Sequence, residues 1–106
     1  MLLAFTTVAS KAAATTLARG AVKARHAVCA QIDGPITSHY RWKSRLESSR
    51  EYRIIFKCLP DQQSQLEAWV LARHPYETPE WLVVTSDRVG EKYLSWALAN
   101  STHAPS

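Results

Sequence analysis

The sequence predicts an α+β domain of ferredoxin-like type, a β-α-β-β-α-β sandwich carrying an extra C-terminal helix and a long hairpin between its second and third strands. Three observations carry that reading. Apolar residues alternate with a period of two in four segments and recur with a helical period in three others. The strand–helix–strand order occurs twice, and the two halves are joined by the hairpin. The 106 residues fit one domain, 1–106, and their 46% hydrophobic and 21% charged content is that of an ordinary globular chain.

Met1–Thr7 is a short apolar strand. Ser10 stands where an N-cap is needed for a helix over Lys11–Arg25. In that helix Ala14, Leu17, Ala18, Ala21 and Val22 recur at i, i+3, i+4, i+7 and i+8, a stripe of small residues able to lie close on a sheet. Ala27–Ile32 then alternates, with Val28, Ala30 and Ile32 on one face. Gly34-Pro35 marks a bulge or an edge without ending the strand. Beyond it Ile36, Ser38, Tyr40 and Trp42 share one face, and Thr37, His39 and Arg41 the other.

A turn is expected around Lys43–Leu46, with a return strand over Glu51–Leu59. Ile54-Ile55-Phe56 is apolar on both faces, as a central strand requires. The two arms exceed what so small a core can use, which is the main sign of assembly. Pro60-Asp61 stops the strand and caps a helix over Gln62–Arg73, with Leu66, Trp69 and Val70 as its apolar face. Pro75 prevents that helix from continuing. Glu80–Thr85 reads as the fourth strand, and Gly90 precedes a last helix over Glu91–Asn100 with Tyr93, Trp96 and Ala97 on one side. The tail Ser101–Ser106 is small and polar and is expected to fray. One sheet face and the hairpin need a cover, and further copies of the chain are the economical one.

A net charge of +4 and a pI near 9.3 invite a nucleic-acid reading. The placement argues against it. Arg41, Lys43, Arg45, Arg50 and Arg53 decorate the hairpin, and Glu47, Glu51, Asp61 and Glu67 follow closely, as on a solvated, mildly basic surface. No stretch is apolar for long enough to span a membrane. The segment before Asp33 lacks acidic residues and so imitates an organellar transit peptide, but its helical stripe assigns it to the fold. Cys29 and Cys58 lie on separate strands as small buried hydrophobes, which fits a reducing cytoplasm.

For chemistry, His74 is the best candidate metal ligand. Imidazole suits copper or zinc, Glu77 or Glu80 could supply a carboxylate, and Pro75 and Pro79 stiffen the loop between them. The competing reading has His74 capping the helix and Glu77 bonding to backbone. His26, His39 and His103 have no evident serine or cysteine partner, and HExxH, CxxC and GxSxG patterns are absent. The chain therefore reads as non-enzymatic.

Three segments carry a family resemblance: Gly34-Pro35-Ile36-Thr37-Ser38-His39-Tyr40-Arg41-Trp42 with Lys43-Ser44-Arg45-Leu46-Glu47, then His74-Pro75-Tyr76-Glu77-Thr78-Pro79-Glu80, then Tyr93-Leu94-Ser95-Trp96. In order and spacing they resemble the CutA divalent-cation tolerance family over nearly the whole chain. The resemblance implies a homotrimer similar in architecture to the PII signalling proteins, with the Gly34–Leu46 arm extending a neighbour's sheet. It implies a role in tolerance to copper and other divalent metals, with Cu2+ or another divalent cation as the ion and no cofactor required. In some members copper binding involves a first-strand thiol and a histidine in this loop. Phe5 holds the thiol position here, and Arg73 stands where some members have a second histidine. Ser44 stands where many members have glycine, which implies a turn that does not need a positive φ there. Tyr40, Trp42, Lys57, Tyr76 and Trp96 read either as intersubunit packing or as a cleft between subunits in which Lys57 meets an anionic ligand, the PII-like sensor or scaffold alternative.

Overall fold

The computed structural model describes residues 1–101; the rest of the expected tail, with His103, lies outside the described residues. The elements are β1 (Leu2–Val8), α1 (Lys11–Lys23), β2 (Cys29–Trp42), β3 (Arg45–Cys58), α2 (Gln63–Arg73), β4 (Leu82–Thr85) and α3 (Glu91–Asn100), with a 3-10 turn over Pro60–Gln62. The four strands form one antiparallel sheet in the order β2-β3-β1-β4, the ferredoxin-like order that the sequence predicts.

α1 and α2 pack on one face of this sheet. Ala14, Leu17, Ala18 and Ala21 from α1 and Leu66 and Val70 from α2 close a core over Leu2, Ala4, Val8, Ile54, Phe56 and Cys58. Ile54, Phe56 and Leu66 have no exposed surface, and each such side chain stabilises the fold by about 1.5–3 kcal/mol. The alanine stripe brings the helices close. A Cβ added at Gly20 would stand 2.5 Å from Trp69 Cη2, so the indole occupies the space that glycine leaves. Val22, placed in the stripe by periodicity, is 38% exposed at its margin.

Ser10 is the N-cap of α1, its Oγ accepting from Ala13 N at 3.1 Å. The helix stops two residues earlier than expected. Arg25 adopts a left-handed φ of 63°, and His26 N donates back to Ala21 O at 2.9 Å, closing the helix without the usual glycine. Asp61 does not cap α2. Gln62 does the linking instead: its Oε1 accepts from Leu59 N at 2.8 Å, and its Nε2 donates to Arg25 O at 2.9 Å and Ser101 O at 3.2 Å. This buried amide ties the ends of β3, α1 and α3 together. α3 sits apart from the main core, where Ala97 joins Val28 and Leu59 in a small second cluster.

The hairpin is longer and tighter than expected. β2 and β3 are each 14 residues long, and the return strand begins at Arg45, not Glu51. The expected bulge is present: pairing slips between Asp33 and Ile36, around Gly34 at φ 144°, and Arg53 holds Asp33 through two bonds of 3.2 and 3.0 Å. Only Lys43 and Ser44 form the turn, with φ of 50° and 65°. Two consecutive left-handed residues define the hairpin turn whose twist matches that of the strands. The expectation that Ser44 avoids a positive φ is thus corrected: register demands it, and serine bears the strain. Ser44→Gly should raise stability by about 1 kcal/mol, read as a higher urea midpoint at unchanged slope.

Candidate functional site

The loop after α2 is built around His74. The ring it carries follows from Pro75, which forces the preceding residue out of helix, and His74 is extended at φ −70°, ψ 135°. This turns the imidazole toward β1. Tyr76 N donates to Nδ1 at 3.1 Å, so the proton sits on Nε2. That N–H lies 3.1 Å from Thr7 O and 3.0 Å from Thr6 Oγ1. Thr6 Oγ1 spends its own hydrogen on Glu80 O at 2.7 Å, which leaves it accepting from His74. The neutral ring thus pins the start of the 74–80 loop to β1, and the Thr6 hydroxyl pins its end. Burial lowers its pKa, outweighing the opposing pull of the Thr7 carbonyl and Glu51.

Between this loop and the hairpin arm lies a cleft of about 770 Å³. Tyr40 and Trp42 from β2, Glu51 from β3, and Tyr76, Glu77 and Glu80 from the loop line it, with Thr7 and His39. Glu51 is only 7% exposed, and its Oε2 accepts from Tyr76 Oη at 2.8 Å. Burial first, and then this bond, raise the Tyr76 pKa, so the phenol remains a donor. Tyr76 also packs against His74, with ring centroids 5.0 Å apart.

Of the residues singled out from sequence, Tyr40, Trp42, Tyr76 and Glu77 meet in this cleft. His74 supports it from outside the lining, with both nitrogens engaged. No group of three or more His, Cys, Asp or Glu side chains suited to a metal ion occurs among the described residues. Lys57 and Trp96 belong elsewhere in the chain: Lys57 Nζ lies 5.7 Å from the Tyr93 ring, and Tyr93 stacks on Trp96 at 5.5 Å. Burial, and then Cys29 beside it, raise the Tyr93 pKa. Cys58 is fully buried, which pushes its thiol up to about 11. Cys29, expected to be buried, is only half-buried. Phe5 packs in register between Ile55 and Leu82. Arg73 covers Trp69 at 4.4 Å and donates to its carbonyl at 3.1 Å.

Sequence reasoning missed Thr6 and Glu51. Glu51 was grouped with the solvated charges of the hairpin, whereas the structure buries it. Its signal is only in the pairing, because Ile36 stands opposite it past the bulge. The neutral His74 gives a pH test. Its folded pKa lies below the ordinary 6.5, so its stabilisation is complete above 6.5 and is lost as pH falls toward the folded value. Melting temperature should fall on acidification through that window, and His74→Gln should flatten this part of the profile.

The family model described as CutA1 divalent ion tolerance protein matches residues 2–100. The divalent-cation tolerance protein CutA of Yersinia pestis is 34% identical over 94 residues, covering 89% of this chain and 79% of the relative. The CutA structure from Synechococcus elongatus superposes with a TM-score of 0.91 at 35% identity, covering 95% of this chain and 89% of that one. CutA1 from Shewanella sp. SIB1 gives 0.91 at 32% identity, covering 96% and 95%. With nearly its whole length matched by the family model and by the fold, this chain belongs to the CutA1 divalent ion tolerance family.

Proposed function

We propose that this chain is a non-catalytic divalent-cation tolerance protein that works as a homotrimer. The observation that carries the assembly is apolar surface the single chain leaves open. Leu46 on the arm is 75% exposed, and Leu82 and Val84 on the sheet are 58% and 51% exposed. β1 pairs with β3 only as far as Tyr52, so among the described residues Arg45–Glu51 has β2 as its one strand neighbour. A second copy that adds a strand there and covers Leu82 and Val84 removes both liabilities. Light scattering should give three times the chain mass, and Leu82→Lys should lower it; a monomeric wild type at micromolar concentration overturns the assembly.

Copper reaches His74 only by breaking a hydrogen bond at Nδ1 or Nε2, so the proposed binding is weak. Glu77, exposed on the same loop, is the carboxylate nearest in sequence to join it. Calorimetric titration with Cu2+ should show a low-affinity site that His74→Ala removes; equal affinity in both proteins takes His74 out of the ligand set. The non-catalytic reading is supported by the same commitment of the ring, which has no nitrogen left for a general base. A small-ligand sensor is the second reading, favoured by the cleft between arm and loop. Its anionic form is not favoured, because Lys57 is directed to Tyr93 and the cleft wall carries carboxylates.

A further inference from the structure

We infer that the cleft between the hairpin arm and the 74–80 loop binds an organic cation, a protonated or quaternary amine. Four observations converge on that chemistry. The cleft has the volume of a small-molecule site, about 770 Å³. Its lining contains no lysine or arginine, although the chain carries 13, and contains Glu51, Glu77 and Glu80. Its walls present three aromatic rings, Tyr40, Trp42 and Tyr76, whose negative faces attract cations of low hydration.

The fourth observation is Glu51 itself. The residue is only 7% exposed, and one of its oxygens accepts from Tyr76 Oη. The other has no hydrogen-bond partner among the described residues and is not sealed from solvent, so it remains available to a ligand. A carboxylate on the cleft wall with one oxygen held by Tyr76 and the other open offers a ready pairing for a cation or donor arriving in the cleft. Neither the aromatic walls nor the spacing of acids suits a small divalent ion, which requires several converging oxygen or nitrogen ligands. A soft, bulky ammonium is satisfied by one carboxylate and rings, the combination present. This inference does not depend on copper binding at His74.

Choline is a suitable probe, because its neutral carbon isostere has the same shape without the charge. Calorimetric titration should show saturable binding of choline, with the isostere weaker by on the order of tenfold. Glu51→Gln should cost a similar factor. Tyr40→Leu and Trp42→Leu keep apolar bulk at positions that are 41% and 43% exposed, so both should fold, and each should weaken choline several-fold while sparing the isostere. Equal affinity for choline and isostere overturns the proposal, as does unchanged choline binding in both leucine variants. Absence of binding at millimolar choline in the assembled protein also overturns it, and would mean that a neighbouring chain fills the cleft.

Discussion

β1 ends at Val8, opposite Tyr52, while β3 continues backward to Arg45. This mismatch in strand length governs the rest of the molecule. Where both neighbours are present, β3 is a central strand and carries Ile54, Phe56 and Cys58 into a closed core. One residue past the end of β1 the same strand has a single neighbour, and Glu51 stands at that boundary. The 74–80 loop fills the corner β1 vacates, and the cleft is what remains between loop and arm. Core, arm and cleft are thus three consequences of one strand stopping early.

Holding the loop in that corner falls to His74. An imidazole that accepts on one side and donates on the other can link the backbone of the loop to that of β1 with one side chain, provided it stays neutral. Burial ensures that. The residue that most resembles a metal ligand in sequence is thereby the residue most fully used by the fold. The groups free to meet a ligand are its neighbours: Glu51's second oxygen and the rings of Tyr40, Trp42 and Tyr76.

Element types and order were legible in the sequence because each long segment keeps its own period. The alanine stripe of α1, the alternation of the arms and the proline after α2 all mean locally what they mean in the fold. The failures are of another kind. Whether Glu51 is solvated depends on where β1 ends, and nothing near Glu51 reports that. Within one chain the sheet sets Lys57 and Trp96 apart from Tyr40, Trp42 and Tyr76, since Lys57 lies six residues past Glu51 on β3, toward α3 and away from the arm. The turn at Lys43-Ser44 was expected, but its left-handed backbone was hidden because strand pairing overrides the reluctance of both residues to adopt it.

The amide of Gln62 has a dynamic consequence. It bridges the carbonyls of Arg25 and Ser101 while accepting from Leu59, so α3 cannot peel away without leaving a buried donor unpaired beside the last turn of α1. A terminal helix attached only by a small apolar cluster would open as an independent unit. Here the shared amide couples its opening to that of α1, and amide protons of the two helix ends should exchange on a common timescale. A C-terminal element peripheral in packing is therefore central in cooperativity.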